Sequence, residues 1–525
     1  MRTPIRSLAT GLAGALLVGC GSGGATNPPI DVIVAVSTAG EAPRLLGGGL
    51  RGEGLVRIDG GVPGSNRYAW SPDRTRVAFV SEDAAGDDRM YVVALADGVP
   101  VPVTPAPTPG TYVSYPKWSP DGTRLAFVAD LVDDALDTDE LWVWNGAGLA
   151  VQVSGVEHVM GIAEPYWSPD STKLAYGGQV AGTQPNGAVS LWVVGADGAG
   201  RTKVSGTLVA GGSVSWNSPN GADGFGGNTI WSYDSQRVAF LADKDTDEVL
   251  ELWTVKADGT GLVKVLPASG PTTDVYAFQW SPTAPQLFGA RSGSGAQLWV
   301  MPAAGGAPVA VSGAAELLSA WITTWSPDGA RIAYVVGGTD VHTVAPDGST
   351  PRTLAIAPGD GVAWFGLRWA PVGGRLAYVA GTEDVIDPDH FRLFAVLDAP
   401  GATPALLSPQ VSDTDGNVVD SGWHWSPDGT RIAYRARPGA TGAHDLFLVG
   451  ADGNGLEQVT ALPGAGWVTD IGWATDGTRY VWTEGDVADG DFRIRSCDPS
   501  GTSIRTILDD DVVSPAGWAD WPLVR

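Results

Sequence analysis

Cysteine, histidine and long apolar runs are all scarce in this chain of 525 residues. It has two cysteines and five histidines, and 32 Lys and Arg stand against 58 Asp and Glu, which gives a formal net charge of −26. Two cysteines cannot form a disulfide framework. No apolar run reaches the ~20 residues that a membrane-spanning helix needs. A nucleic-acid-binding protein needs a basic surface, so we expect no nucleic-acid partner.

The first twenty residues have the pattern of an export signal. Arg2 and Arg6 precede an apolar stretch over 8–18, and small residues lead to Cys20. A charged start, a short apolar core and small residues before a cleavage point are typical of a secretory signal. The ending Leu-Val-Gly-Cys resembles the signal of bacterial lipoproteins, in which the cysteine is lipidated and begins the mature chain.

This resemblance implies three segments. We expect a signal peptide over 1–19, the lipidated Cys20 with a flexible linker over 20–29, and one folded region over 30–525. The protein would be exported and held to the membrane by its lipid alone. Gly21 follows the cysteine where Asp would direct inner-membrane retention, so the resemblance favours the outer membrane, on its periplasmic face or at the cell surface. With Cys20 lipidated, Cys497 has no partner for an intrachain disulfide.

Helical periodicity is also scarce after residue 30, where short alternating runs lie between Pro, Asp and Gly and indicate an all-β chain. One tryptophan recurs at spacings of 44 to 64 residues, and we call it the anchor. Ser-Pro-Asp-Gly-Thr-Arg follows it at 119–124 and at 426–431, with degenerate copies elsewhere. Lys or Arg stands six residues after the anchor in eight of nine copies, the exception being Gln286. The anchors are Trp70, Trp118, Trp167, Trp231, Trp280, Trp325, Trp369, Trp425 and Trp473.

Each copy of the repeat predicts four strands. The anchor ends the first strand, and Ser-Pro-Asp-Gly suits a type I turn because Pro presets φ and Gly takes the last position. Two apolar strands, such as Leu125–Val128 and Leu141–Trp144, are followed by an Asp-Gly turn and a fourth strand. Nine such units predict a β-propeller of four-stranded blades, with the aromatic residues in its core.

The ends of the chain and two long intervals extend this prediction. Val32–Val36 and Gly517–Trp521 would share one further blade between the two termini. A single ring is favoured over two packed propellers because no linker-like segment divides the repeats. The long intervals predict loop insertions at 211–228 and 408–422, of the kind that often form a binding face.

These motifs resemble the WD40-like PD40 repeat of the TolB propeller family, and they are similar to the propellers of tricorn protease and of the dipeptidyl-peptidase IV group. The resemblance covers about residues 55–510 and implies the fold, not an activity. The α/β domain that precedes the TolB propeller has no counterpart between Cys20 and the first repeat. The Gly-x-Ser-x-Gly pentapeptide of propeller-bearing serine hydrolases is also missing from the sequence.

The residue before each anchor supplies the candidates for a ligand site. Side chains alternate along a strand, so this residue faces away from the anchor, and its row is more polar than the neighbouring one. We expect the polar members to lie at the mouth of the central channel, either as a ligand site or as an ordinary polar rim. These candidates are Lys117, Gln279, Arg368 and His424.

Alternating carboxylates supply the candidates for a metal site. Asp413, Asp415 and Asn417 place oxygens at alternate positions, as calcium loops do. The EF-hand pattern fails, because its twelfth position is His424 and not Glu. Asp243, Asp245 and Asp247 form a second such set. Structural Ca²⁺ and solvated turns are the two interpretations, and no other cofactor is expected.

The sequence therefore predicts a non-enzymatic envelope lipoprotein whose propeller is a binding scaffold for an envelope protein or a glycan. No catalytic residue can be named from it. The alternative is a propeller enzyme, a polysaccharide lyase or hydrolase, with its site at the channel mouth.

Overall fold

The computed structural model describes residues 32–36, 44–48, 55–57 and most of 62–510. The longest gaps in the last range are 132–138, 180–186, 216–229, 314–322, 383–390 and 410–416. Residues 1–31 and 511–525 lie outside the described residues, and with them the signal peptide, Cys20, the linker and Gly517–Trp521. All regular elements of the described chain are β-strands, and none of its residues form a helix with the length and apolarity to cross a bilayer.

The chain divides into two compact units. The first comprises Met1–Pro116, Thr441–Leu448 and Glu457–Arg525, and the second comprises Lys117–Ala440 and Val449–Leu456. We name each repeat sheet by its anchor tryptophan and number its strands from first to fourth in chain order.

The amino-terminal part of the first unit contains one short sheet and the Trp70 sheet. The short sheet consists of β1 (Val32–Val36), β2 (Arg44–Gly48) and β3 (Leu55–Arg57), paired antiparallel. The Trp70 sheet consists of β4 (Tyr68–Trp70), β5 (Arg76–Glu82), β6 (Asp88–Ala94) and β7 (Pro100–Pro102), and β8 (Tyr112–Val113) follows. The strand predicted over 32–36 is present as β1. Within the described residues it pairs with β2, the next strand in the sequence.

The second unit contains most of the repeat sheets. The Trp118 and Trp167 sheets comprise β9 (Lys117–Trp118), β10 (Leu125–Asp130), β11 (Glu140–Trp144), β12 (Val151–Gln152), β13 (His158–Val159), β14 (Tyr166–Trp167), β15 (Lys173–Gln179), β16 (Val189–Gly195) and β17 (Thr202–Lys203). The Trp231 and Trp280 sheets comprise β18 (Arg237–Ala242), β19 (Glu251–Lys256), β20 (Val263–Leu266), β21 (Val275–Trp280), β22 (Gln286–Arg291), β23 (Leu298–Pro302) and β24 (Val309–Ala310).

Three further repeat sheets begin in this unit. The Trp325 and Trp369 sheets comprise β25 (Thr324–Trp325), β26 (Ile332–Val336), β27 (Asp340–Val344), β28 (Arg352–Leu354), β29 (Asp360–Val362), β30 (Arg368–Trp369), β31 (Arg375–Thr382), β32 (Arg392–Leu397) and β33 (Ala405–Leu406). The Trp425 sheet begins with β34 (Asn417–Trp425) and β35 (Arg431–Arg437).

The remaining strands complete the repeats. They are β36 (Asp445–Gly450), β37 (Glu457–Gln458), β38 (Trp467–Thr469), β39 (Tyr480–Gly485), β40 (Phe492–Cys497) and β41 (Arg505–Asp510). The repeat sheets are antiparallel meanders, as in the order β21-β22-β23-β24. The structure therefore confirms the all-β propeller fold with four strand positions in each repeat.

The first strand is the least regular of the four. In the Trp167 sheet, β13 and β14 are two separate pieces that both pair with β15. In the Trp231 sheet the first strand is reduced to two bridges, from Val214 to Ala242 and from Trp231 to Val238. The insertion predicted over 211–228 therefore interrupts a first strand. The one predicted over 408–422 is only partly a loop, because 417–422 belong to β34.

A serine follows seven of the nine anchors and fixes the turn into the second strand, whereas Ala370 and Ala474 follow the other two. In the Trp425 sheet, Ser426 Oγ donates to Asp428 Oδ1 at 2.6 Å and accepts from the Arg431 N–H at 2.9 Å. The hydrogen bond from Ser426 lowers the pKa of Asp428 below its usual value, with help from Thr430. Gly429 adopts φ +66° and donates to Ser426 O at 2.8 Å. The same geometry in other copies confirms the predicted turn.

The anchor tryptophans join consecutive sheets of the second unit. Each indole N–H donates to the backbone carbonyl of the residue that precedes the previous anchor. The bonds, at 2.9 to 3.4 Å, run from Trp167 to Lys117, Trp231 to Tyr166, Trp280 to Ile230, Trp325 to Gln279, Trp369 to Thr324 and Trp425 to Arg368. The hydrophobic core also lies between consecutive sheets. One buried cluster combines Ala126 and Leu141 of the Trp118 sheet with Leu174 and Tyr176 of the next sheet.

The turn between third and fourth strands also reaches the neighbouring sheet. Gly259 adopts φ +83°, and a Cβ on it would come within 2.9 Å of Thr202 Cγ2 in β17. Gly348 adopts φ +78°, and a Cβ there would be 3.4 Å from Ala310 O in β24. Only glycine combines this backbone conformation with so close an approach, which explains the glycine of the repeated Asp-Gly turn.

We expect Trp280→Phe to lower the free energy of unfolding by ~1 kcal/mol more than Trp253→Phe does, because only Trp280 donates an inter-sheet hydrogen bond. Both indoles are buried, at 4% and 7% exposure, and the Trp253 indole nitrogen has no partner among the described residues. Urea denaturation of the two variants measures the difference. Equal losses would show that the indole–carbonyl bond adds nothing to ring burial.

Candidate functional site

The residues that precede the anchors form a continuous row through the second unit. The indole–carbonyl bonds place them in consecutive sheets, and each is half-buried. The row consists of Lys117, Tyr166, Ile230, Gln279, Thr324, Arg368 and His424. All four predicted ligand-site residues belong to it. Two of them, Arg368 and His424, are in adjacent sheets. Lys117 and Gln279 lie in earlier sheets of the row and are not in adjacent sheets.

Three of the four predicted side chains contact the next sheet. Lys117 Nζ lies 5.0 Å from the centre of the Tyr166 ring. Gln279 Oε1 accepts a hydrogen bond from the backbone N–H of Trp325 at 3.2 Å. Arg368 Nη1 donates to the carbonyl of Trp423 at 2.7 Å, and its guanidinium lies 4.6 Å from that ring. Through these contacts the side chains help to join consecutive sheets. A role of the same side chains in ligand binding stays a prediction.

His424 lies among cationic groups. His424 as a whole is half-buried, but its Nε2 atom is inaccessible to solvent. Burial of the ring, followed by the charges of Arg368 and Arg435, lowers the pKa of His424 to about 3. Arg435 packs against the backbone of Gly422, where an added Cβ would stand 2.5 Å from Arg435 Nε. The histidine is therefore neutral at physiological pH.

This cluster favours binding over proton transfer. A general base works best when its pKa is close to the working pH, and a histidine with a pKa near 3 is too weak a base at neutrality. Its neutral ring has one donor and one acceptor, but Nε2 is inaccessible to solvent. Arg368 is half-buried and oriented by Trp423, so its guanidinium is the group of this cluster that can orient an anion.

Two of the three predicted calcium ligands over 243–247 are engaged by the protein itself. Asp243 accepts hydrogen bonds from the N–H groups of Ser213 and Glu248. Asp245 lies 2.9 Å from Lys264 Nζ, and this hydrogen bond lowers the pKa of Asp245. The carboxylate of Asp247 is exposed and faces Gly211, where an added Cβ would be 2.6 Å from it.

The set predicted over 413–417 lies only partly within the described residues. Asp413 and Asp415 lie outside the described residues, and Asn417 begins β34 opposite Arg437. No three or more His, Cys, Asp or Glu of the described chain are grouped so as to hold a metal ion. Calcium binding stays a prediction.

Sequence reasoning missed a groove in the second unit. It occupies about 480 Å³ beside β23 and β24 and is mainly apolar. Gln286, Val300 and Ala307 line it, together with Asp347 of the following sheet. The sequence contained one signal for it, since Gln286 is the copy without the repeated Lys or Arg. This exception can be interpreted only when the hydrogen-bond partners of the arginine in other repeats are known.

No protein-family model and no curated protein matches the chain. Among solved structures, it is similar to dipeptidyl peptidase 4 of Porphyromonas gingivalis, with 11% identity over 86% of this chain and 60% of that chain and a TM-score of 0.48. It is also similar to TolB of Acinetobacter baumannii, with 13% identity over 56% of this chain and 65% of that one and a TM-score of 0.27.

The C-terminal WD40 domain of Sif2 is a third similar structure, with 15% identity over 70% of this chain and 91% of that one and a TM-score of 0.34. The chain spans 60% of the length of the peptidase. At these identities a likeness carries no activity across, and the propeller fold rests on the repeated sheets themselves.

We expect His424 to destabilise the protein between pH 6.5 and 4.5. Its folded pKa of about 3 lies below the ~6.5 of an unfolded histidine. In that window the unfolded chain binds more protons, so the free energy of unfolding falls as the pH falls. His424→Gln should therefore gain stability relative to the wild type on acidification, by at most ~1.4 kcal/mol per pH unit.

Urea titrations at several pH values measure this difference. His342→Gln is the matched control, since it makes the same substitution at a histidine of β27 that stacks on Tyr334 of β26, with ring centres 5.4 Å apart. The carboxylates of the turns are the same in wild type and variant, so their contribution cancels in the comparison. Parallel stability curves for wild type and His424→Gln would contradict the assignment.

Proposed function

We propose that the protein is a non-enzymatic envelope lipoprotein whose propeller is a binding scaffold. Cys20 would hold it to the outer membrane through its lipid, and an envelope protein or a glycan would bind the propeller surface. The observation that carries the proposal is the use of the polar residues in the row before the anchors. Lys117, Gln279 and Arg368 contact the following sheet, so these side chains support a rigid array of sheets that presents its surface to a partner.

The charge of the chain limits the partner. A net charge of −26 repels anionic lipid surfaces and nucleic acids and attracts basic partners. A lipid anchor therefore has to hold the protein at a membrane that its own surface would not bind. The sequence from Arg2 to Cys20 supports that anchor.

A polysaccharide lyase or hydrolase is the second candidate. One observation favours it: a titratable group with a strongly shifted pKa lies beside two arginines, and such groups are frequent in active sites. The direction of the shift speaks for binding, as argued above. Turnover of acidic oligosaccharides by purified protein, lost in His424→Ala, would replace the scaffold proposal with the enzymatic one.

We expect Cys20→Ser to move the protein from the membrane fraction to the soluble fraction, because the thioether-linked lipid can no longer form. Fractionation with immunodetection measures the shift, and mass spectrometry of the amino-terminal peptide detects the lipid. Cys497→Ser is the matched control, because Cys497 is completely buried in β40 and should leave the distribution unchanged. Equal membrane retention of the Cys20→Ser protein would refute the anchor.

We also expect the solubilised lipoprotein to retain a specific envelope component after cross-linking. The retained component has to bind again when purified alone, with a reproducible stoichiometry. A scaffold gives such a complex and no change in the chemistry of the component. If the native protein retains no component beyond those that a denatured sample retains, the scaffold proposal is wrong.

A further inference from the structure

The arginine six residues after the anchor has a repeated structural role. In four repeats its guanidinium donates to one backbone carbonyl in the turn between the third and fourth strands of its own sheet, whereas Arg124 and Arg375 donate to carbonyls of the next sheet. The acceptor is the residue two positions after the turn glycine. The bonds are Arg237 to Gly261 at 2.7 Å, Arg331 to Thr350 at 2.9 Å, Arg431 to Gly455 at 3.0 Å and Arg479 to Ser503 at 2.8 Å.

A hydroxyl of the third strand receives the same arginine in several sheets. Arg237 Nη2 donates to Thr254 Oγ1 at 3.3 Å, and Arg331 Nη2 donates to Thr343 Oγ1 at 2.8 Å. That threonine also reaches the following sheet: Thr254 donates to the carbonyl of Ala303 at 2.5 Å. The arginine thus lies over a polar position that joins two sheets.

The Trp280 sheet departs from this pattern at the arginine position, where Gln286 stands. Val300 occupies the position of Thr254, because Val300 pairs with Phe288 as Thr254 pairs with Ala239. Valine also occupies this position in the Trp118 and Trp167 sheets.

The turn keeps one hydrogen bond of this form, since Gly305 donates to Pro302 O at 3.1 Å as Gly259 donates to Lys256 O at 2.9 Å. Its second left-handed residue is Gly306 (φ +140°), one position earlier than Gly261 (φ +62°) in the Trp231 turn. Ala307 follows Gly306 and stands two positions after Gly305, as the acceptors do after their turn glycines.

The groove lies where the arginine is missing. Gln286, Val300 and Ala307 all line it, and they stand at the positions that Arg237, Thr254 and Gly261 take in the Trp231 sheet. Pro302 and Val309 add apolar wall, and Asp347 of the Trp325 sheet supplies a carboxylate. Its volume of about 480 Å³ falls within the ~300–1,000 Å³ of ligand sites.

We propose that this groove binds an arginine side chain of a partner polypeptide, which supplies from outside the guanidinium that other repeats supply from within. The aliphatic stem would lie on Val300 and Pro302, as long cationic side chains cover apolar surface. The guanidinium would donate to the carbonyl of Ala307 and pair with Asp347. A surface with an excess of acidic residues favours such a partner over an acidic one.

The charge of Asp347 is secured by its turn. Its Oδ1 accepts the N–H of Ser349 at 2.9 Å. Hydrogen bonds from Ser349 hold the pKa of Asp347 below its usual value, so the carboxylate is ionised at physiological pH. Among the residues that line the groove, it is the one charged side chain.

The decisive variant is Gln286→Arg, which should fill the groove from within. The probe is the peptide Ac-Gly-Ala-Arg-Ala-Gly-NH₂, observed by saturation-transfer NMR, with citrulline and norleucine peptides beside it. We expect the arginine peptide to bind the wild type at least fivefold more tightly than either of the others. Gln286→Arg should abolish that binding. Gln236→Arg is the matched control, because it adds the same charge at an exposed turn position outside the groove.

Two further measurements keep the test independent of one variant. Asp347→Asn preserves an acceptor for Ser349 and should weaken the arginine peptide roughly two- to fivefold, as expected for an exposed ion pair. The unfolding midpoint of Gln286→Arg should equal or exceed that of the wild type. Equal binding of arginine and citrulline peptides would overturn the proposal, as would norleucine binding equal to arginine binding or retained binding in Gln286→Arg.

The inference rests on the binding role proposed above, and the two can fail separately. An envelope partner that is retained by wild type and by Gln236→Arg, but lost with Gln286→Arg, supports both. A partner retained by all three proteins leaves the scaffold standing and refutes the groove as its contact. Peptide binding with the expected selectivity, without any envelope partner, supports the groove and removes the scaffold.

Discussion

The hydrogen bond from an anchor indole to the carbonyl of the previous sheet is the constraint on which the second unit depends. A stack of sheets held by apolar packing alone could slide, because dispersion and burial have no direction. The indole N–H is directional, and it occurs once per repeat at the same position of the first strand. Each bond fixes the position of one sheet relative to the next, so the turns and the row before the anchors fall into register. A main-chain carbonyl is the acceptor, which leaves the side chain before the anchor open to variation.

The sequence was sufficient to predict much of this architecture. The spacing of the tryptophans gave the repeat, alternation gave the strands, and the chemistry of Ser-Pro-Asp-Gly gave the first turn, which Ser426 and Asp428 form as expected. These features are local, so one sequence contains their causes. The strand over 417–422 was missed for a related reason: its Asp- and Gly-containing composition is typical of loops, whereas β34 continues through it with a shift in register between Val418 and Trp423.

The candidate site was harder to predict, because its properties arise between sheets. Alternation placed Arg368 and His424 on one face, but no periodicity could reveal that Arg368 would contact Trp423 in the following sheet. The depressed pKa of His424 depends on burial and on Arg435, which is eleven residues away in sequence. Gln286 illustrates the same limit. The exception was visible in the pattern, yet its meaning depends on Val300 and Ala307, which only the fold brings next to it.

The glycine turns that lie against each preceding fourth strand have a consequence for the behaviour of the protein among its own copies. A fourth strand such as β24 is a short sheet edge with unpaired backbone groups, and such edges invite pairing with a second chain. Gly348 brings the next sheet's turn close to β24, and Gly259 does the same at β17. The repeat therefore shields its own edges with the motif that terminates its third strands. Wherever many copies of the protein come close together, this shielding hinders the edge-to-edge pairing that leads to β-aggregates.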